Sequence, residues 1–335
     1  MRDRHSQAEA RVGHHYPEVA AAVRTVLAEE STVPAFHELL QQLMAGKGRV
    51  LGREGTAKWP AFVLEPCRVL GGDLDAAVWA AAAVEFTAAA AEVVDDLVDD
   101  EWGEETVTQA RAINASAGLI WLAQRSTAHL VECLGPERAW RINDLLGQGY
   151  LDACAGEDLD LLLEAPTEVT EEQAHEMTRR KSGSLVAMAC RVGAAVAIDD
   201  SGTIDALGQF GCHVGLAAQL LNDLSGINSE NPTRGSDLRR KKKTLPVTYA
   251  LRCAQEEGME LLLAWYRGMP DSDASTEQNI ASMIRELGGL HYGWVVADTH
   301  RREALALLGA LAHATGRAEV QQLRHLVPVA YSRPA

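Results

Sequence analysis

Five carboxylates fall within the seven residues Asp95-Asp96-Leu97-Val98-Asp99-Asp100-Glu101, directly after an alanine-rich apolar run that starts at Ala76. Apolar helices normally shed charge toward their ends and outer face, so acid gathered while the core pattern still runs asks for a counter-charge. On a helix, Asp95 and Asp99 lie one turn apart on one face, with Asp96 beside them. Like charges at that spacing repel by roughly 0.2–0.5 kcal/mol per pair. A divalent cation reverses the sign, and clustered carboxylates are hard oxygen ligands suited to Mg²⁺. Taken alone, the segment reads equally well as a solvated acidic helix end leading into the loop at Trp102-Gly103.

A second apolar segment also ends in oxygen ligands, from Gln219 through Asn222-Asp223 to Glu230. Asn222, Gly226 and Glu230 share one stripe at i, i+4 and i+8 if the helix persists. Arg234, Arg239, Arg240, Lys241, Lys242 and Lys243 follow, ahead of Thr244-Leu245-Pro246. By itself that basic run reads as a solvated face, and Asn222-Asp223 as the last turn of a helix. A third polar set is Arg179-Arg180-Lys181-Ser182-Gly183-Ser184-Leu185. One joint explanation covers all three. Carboxylates hold Mg²⁺, Mg²⁺ and the cations hold a diphosphate, and a tube of apolar helices holds the hydrocarbon attached to it.

The elements that must position these residues read as helices throughout. Helical period dominates and alternating strand-like runs are nearly absent. The pattern predicts helices near 16–30, 33–46, 58–70, 74–99, 106–131, 135–157, 170–198, 203–225, 242–257, 258–268, 275–287 and 293–315. Breakers such as Gly71-Gly72-Asp73, Gly135-Pro136 and Asn231-Pro232 separate them. With 335 residues and 47% hydrophobic content, the chain supports a large core. The expected layout is a polar segment with a first helix over 1–32, an all-α single domain over 33–320 and an irregular tail over 321–335.

A net charge of −16 argues against nucleic acid and against an anionic membrane surface. The apolar stretch from Ala76 to Ala91 is interrupted by Glu85 and reads as a buried helix, with no integral membrane contact. Six scattered cysteines without a CxxC pair, and a polar start at Met1-Arg2-Asp3-Arg4-His5, point to a reducing, cytoplasmic setting. His213 and Cys212, on an apolar segment, read as satisfied core residues.

The order and spacing of these segments resemble the trans-isoprenyl diphosphate synthase (polyprenyl synthetase) superfamily over about residues 33–300. Asp95, Asp96 and Asp99 resemble its first aspartate-rich motif, DDxxD. Gly156-Glu157-Asp158-Leu159-Asp160-Leu161 resembles GQxxDL, with Glu157 where glutamine is usual. Lys181-Ser182-Gly183-Ser184-Leu185 resembles KTGxL, and Phe210 through Gln219 to Asp223 resembles FGxxxGxxxQxxDD. Gly235-Ser236-Asp237-Leu238 and Lys242-Lys243-Thr244-Leu245-Pro246 resemble GxDL and KxTLP. The resemblance implies a bundle of long helices around a deep apolar cavity, the isoprenoid synthase fold, and a homodimer. It implies three Mg²⁺ ions with a prenyl diphosphate bound, held by Asp95, Asp96, Asp99, Asn222 and Glu230. Lys181, Arg234 and Lys242 would grip the diphosphate. Phe86, Ala90, Ala91, Glu157 and Gln219 would line the substrate cavity.

Departures from the family pattern bear on the reaction. Aligned on Leu70-Gly71-Gly72-Asp73, the GKRxRP segment that binds isopentenyl diphosphate is here Gly55-Thr56-Ala57-Lys58-Trp59-Pro60. Glu104 and Glu105 stand where an arginine pair belongs, and Val94 where a histidine precedes DDxxD. Desolvating a diphosphate without cations costs several kcal/mol. Asn222, Asp223 and Glu230 resemble the NDxxSxxxE motif of class I terpene synthases, with Gly226 where that motif wants a hydroxyl and Ser225, one residue earlier, about 100° away on a helix. The leading expectation is therefore a terpene synthase that ionises an allylic diphosphate and quenches the cation within the same molecule. Prenyl transfer to a peptide or aromatic acceptor, residual chain elongation, and a weakly catalytic partner subunit are the alternatives. Small residues from Thr87 to Ala91, above Phe86, imply a geranylgeranyl-sized substrate.

Overall fold

The computed structural model describes residues 13–29, 33–46, 48–52, 58–103, 107–165, 168–227, 236–268 and 274–329. Among these residues there are helices and turns but no strand. The chain is all-α, as the periodicity requires. It divides into two compact units, one of 1–151, 185–211 and 305–327, the other of 152–184, 212–304 and 328–335.

The first unit is built on the helix Leu74–Val98, which carries the aspartates. Asp73 caps it, its carboxylate accepting from the backbone nitrogens of Asp75 at 2.9 Å and Ala76 at 3.4 Å. Fifteen of its 25 residues are buried, including Phe86 and Ala90. Alanine supplies helix propensity without bulk, so neighbours come close. From the helix Gln109–Ala128, the Ser116 hydroxyl donates to the Ala90 carbonyl at 3.2 Å and Ser126 to the Trp79 carbonyl at 2.8 Å. Length and composition alone would let Leu74–Val98 cross a membrane, yet 78% of its most apolar window is buried. Arg49, buried, reaches the Ala88 carbonyl at 2.9 Å and pairs with Glu92. The fully buried Glu85 accepts from the backbone of Val50 at 3.3 Å. Burial pushes the Glu85 carboxyl up to about 7 against the opposing pull of Arg49.

The second unit has its own core, in which Trp265, Ile280 and Ile284 are nearly or fully buried. Its sequence-predicted helix 170–198 is interrupted. Thr170 and Gln173 form a reciprocal capping box that opens the helix Glu171–Thr178. The next five residues, Arg179–Gly183, form a π-helical turn before the α-helix Ser184–Ala197 resumes. Periodicity does not reveal such a turn, because it inserts into a pattern that is helical on both sides.

Three further differences matter. The helix expected over 135–157 runs from Pro136 to Leu163, so Glu157 and Asp160 are helical. The helix expected from 242 starts at Leu245, since Thr244 is extended and Pro246 sits in the first turn. Ala318–Leu326 form a 3₁₀ helix with Val320 and Leu323 buried, so regular structure continues into the segment expected to be irregular.

Candidate active site

In the first unit, Asp95 and Asp96 occupy the last turn of Leu74–Val98, and Asp99 is the residue that ends it. One carboxylate oxygen of Asp95 and one of Asp99 lie within 4.8 Å of each other. All three aspartates are half-buried. Burial, then Glu92, Asp95, Glu101 and Asp99, push the Asp96 carboxyl up to about 6. Negative charge therefore accumulates here without enough water to screen it. An all-oxygen set in that condition fits a hard divalent cation.

In the second unit, the π turn aims Lys181 at the end of Pro136–Leu163. Its ammonium lies 2.7 Å from the Asp160 carboxylate and 2.9 Å from that of Glu157. Lys242, 6% exposed, reaches the same Asp160 oxygen at 3.4 Å. Burial pushes the Asp160 carboxyl up, but the two lysines outweigh it and hold it below the usual carboxylate range. Ser182 and Gln219 are hydrogen-bonded at 3.1 Å, and the Gln219 amide donates to Asp223 at 2.8 Å. These groups surround a polar cavity of about 40 Å³ lined by Asp160, Lys181, Gln219, Asp223, Asp237 and Lys242 among others. Burial, reinforced by the Asp237 charge, pushes the Asp223 carboxyl up to about 7.

From Arg240 to Lys243 the basic run is engaged with the protein, while Arg239 is exposed. Arg240 pairs with Glu164 at 2.5 Å, and Lys241 lies 4.9 Å over the Trp265 ring. Lys243 donates to the carbonyls of Leu163 and Ala165, each at 2.6 Å. It thereby caps the C-terminus of Pro136–Leu163, where backbone carbonyls are unpaired and the helix dipole favours a cation. Lys242 and Lys243 are buried because that helix end recruits them, and local sequence cannot show a partner so distant in the chain.

Asn222 is exposed on Ser201–Ile227 while the adjacent Asp223 is buried. Helix geometry sends consecutive side chains about 100° apart, so only one of the pair can face the cavity. Glu230 and Arg234 lie outside the described residues, as do Arg53 through Ala57 and Glu104 and Glu105. Phe86 and Ala90 are fully buried, and Ala91 is half-buried. Asp160 was not singled out as a site residue from sequence. Its only local signal was the GQxxDL-like pattern, and its pairing with two lysines depends on segments far along the chain. His213, half-buried rather than in the core, pairs with His300 (Nδ1 to Nδ1, 3.0 Å), whose Nε2 lies 3.0 Å from His175 Nε2.

Residues 41–284 match the family model described as polyprenyl synthetase. The chain belongs to the polyprenyl synthetase family. It is 30% identical, over 305 residues, to a geranylgeranyl diphosphate synthase of Mycobacterium tuberculosis, an alignment covering 87% of this chain and 85% of that one. It is 28% identical to a (2E,6E)-farnesyl diphosphate synthase of Mycobacterium bovis, across 82% of this chain and 79% of the relative. A polyprenyl synthetase structure from Streptomyces coelicolor superposes with a TM-score of 0.75 at 26% identity, covering 94% and 98% of the two chains. A geranylgeranyl pyrophosphate synthetase from Pyrococcus horikoshii shares the fold with a TM-score of 0.79 at 22% identity, over 95% and 97%. A polyprenyl synthetase fold accounts for the all-α architecture, and family membership identifies the chain as an enzyme of the prenyltransferase type.

Proposed function

We propose that this polyprenyl synthetase ionises an allylic prenyl diphosphate and transfers the prenyl group to isopentenyl diphosphate, with a geranylgeranyl-sized chain as product. The reading is carried by Lys181 and Lys242, both set around Asp160 in a chain that retains Asp95, Asp96 and Asp99. It is supported by relatives named as chain-elongating synthases. The leading expectation from sequence, a terpene synthase, has no counterpart among those names.

The family resemblance would make Asp95, Asp96 and Asp99 ligands of Mg²⁺, with Glu230 as a further ligand and three ions in all; Asn222, exposed beside the cavity-lining Asp223, does not fit the ligand role its motif implies. Bound Mg²⁺ supplies charge neutralisation for the departing diphosphate. Lys181 and Lys242 donate hydrogen bonds to the oxygens of the same diphosphate, and Arg234 adds a third cation. Gln219 orders Ser182 and Asp223 around them through its amide. The buried alanine face of Leu74–Val98 keeps water from the allylic cation. Phe86 marks the floor that limits chain length, below Ala90 and Ala91.

A homodimer accompanies this reading. Ile113 and Trp121 lie on one stripe of Gln109–Ala128 and are 63% and 72% exposed, and Trp140 and Leu151 on Pro136–Leu163 are 68% and 70% exposed. Large apolar residues repeated along a helix face suit a second copy of the chain. The free cysteines suit a reducing, cytoplasmic location.

One set of observations favours a second reading, terpene synthesis. Thr56, Ala57 and Trp59 replace the family's isopentenyl-binding cations, and Asn222 replaces the first aspartate of the second motif. Arg49, a nearby cation, is already committed to Glu92 and the Ala88 carbonyl. Incubation with Mg²⁺ and geranyl, farnesyl or geranylgeranyl diphosphate, with and without isopentenyl diphosphate, separates the two. A longer diphosphate formed only with isopentenyl diphosphate supports elongation. Hydrocarbon or alcohol released from the allylic substrate alone overturns it. Turnover that appears only when a peptide or aromatic acceptor is added overturns both.

A further inference from the structure

We infer that Glu157 makes the grip of Lys181 on a diphosphate conditional on a divalent cation, a restraint that an uncharged glutamine at this position does not impose. The inference rests on the diphosphate role proposed for Lys181. The ammonium of Lys181 is shared between two carboxylates, Glu157 at 2.9 Å and Asp160 at 2.7 Å. Asp160 is also bound to Lys242 at 3.4 Å, and both Asp160 and Lys242 are under one-tenth exposed. Asp160 is thus locked between two cations and has no freedom to leave. Glu157 pairs with the same ammonium from a more open position, its side chain 15% exposed against 8% for Asp160.

An arriving diphosphate competes with Glu157 for the same ammonium. It must displace the carboxylate and then lie beside it, an anion against an anion with partial burial. At such short range and reduced screening the repulsion is substantial. Asp237 lines the same cavity and adds further negative charge. The neighbourhood of Lys181 therefore attracts anions poorly while it is free of metal. A divalent cation bound jointly by Glu157 and the diphosphate turns the repulsive pair into two ligands of one ion. A glutamine would keep an oxygen for Lys181 to donate to but would bring no charge. Glu157 is accordingly a positioning residue whose charge, more than its shape, sets when Lys181 can act.

Calorimetric titration of the full chain with inorganic pyrophosphate tests this, in EDTA and again in saturating Mg²⁺. In EDTA, Glu157→Gln is expected to bind pyrophosphate about tenfold more tightly than the unmodified chain. In Mg²⁺ the gap is expected to close or reverse. Equal affinity of the two proteins in EDTA, with Lys181→Met abolishing binding in both, would overturn the role of Glu157 while leaving the diphosphate reading intact. If neither protein binds pyrophosphate in Mg²⁺, the diphosphate reading itself fails and this inference falls with it. Glutamine matches glutamate in size, and an unchanged circular dichroism spectrum checks that the variant is folded.

Discussion

A Cβ placed on Gly156 would lie 2.1 Å from the backbone nitrogen of Lys181. The glycine lets the Pro136–Leu163 helix pass against the π turn, one residue before Glu157 and four before Asp160. Gly156→Ala forces backbone apart at that crossing, since the obstructing atom is main chain and cannot rotate away. The expected cost is about 1–3 kcal/mol, read as a lower urea midpoint. Pyrophosphate affinity in Mg²⁺ is expected to fall at the same time, because Lys181 moves with its backbone. A stable Gly156→Ala protein with unchanged affinity would overturn the role of this close crossing.

Asp95→Asn and Asp99→Asn separate catalysis from folding. Each is expected to lower diphosphate release from an allylic substrate by on the order of 10²–10³-fold in Mg²⁺. Each also relieves like-charge repulsion in the last turn of the helix, so in EDTA the melting temperature should rise slightly or hold. A variant that loses activity only because it melts earlier in EDTA would contradict the assignment of these carboxylates to a metal.

Chain length is expected to respond at Ala91. Ala90 is fully buried and its carbonyl takes the Ser116 hydroxyl, so a large residue there would disrupt the core. Ala91 is half-buried and tolerates bulk better. Ala91→Phe should shift the longest chain accepted or made toward farnesyl or geranyl size, measured by chromatography of dephosphorylated products. An unchanged distribution would remove the floor from the side of the helix assigned to it.

The histidine trio should make stability depend on pH. Burial, then His175 and His213, lower His300 to about 4, and burial also lowers both of its neighbours. Glu176 and Glu303 pull the other way, while Arg179 adds to the lowering at His175. Between these folded values and the ordinary histidine range, the unfolded chain binds more protons than the folded one. Their stabilising contribution is therefore full above about pH 6.5 and is lost as pH falls toward 4. The loss should be on the order of 1 kcal/mol, allowing for partial exposure. His300→Gln is expected to flatten the profile in denaturation curves between pH 7 and pH 5, and an identical slope would rule the trio out as its source.

Oligomeric state should depend on the exposed tryptophans. Trp121→Glu together with Trp140→Glu is expected to convert a dimer to a monomer in light scattering, with the helical spectrum retained. A monomeric unmodified chain at micromolar concentration would refute the homodimer.

How far local pattern carries is clear from particular residues. The boundaries of Leu74–Val98 were readable within a residue, because alanine propensity, the Asp73 cap and the acidic end are all local. The family motifs were readable for the same reason, as short strings in a set order. The partners of the basic run were not readable, and in isolation it resembles a solvated face. Lys242 is buried against Asp160, 82 residues earlier in the chain, and Lys243 caps a helix end 80 residues away. Burial of an ammonium group depends on finding a distant carboxylate or carbonyl, and no window of sequence contains both.

What the sequence determined by itself was the helical class, the placement of the long helices and the acid gathered at Asp95, Asp96 and Asp99, since each follows from contacts within a turn or two. Only the tertiary structure decided that Asp223 would be buried and Asn222 exposed, that a π turn would interrupt the helix at Lys181, and that Asp160 would hold two lysines. Those outcomes turn on which helix faces meet, and the free energy of burying a charge is set by the partner that meets it rather than by the residues beside it in the chain.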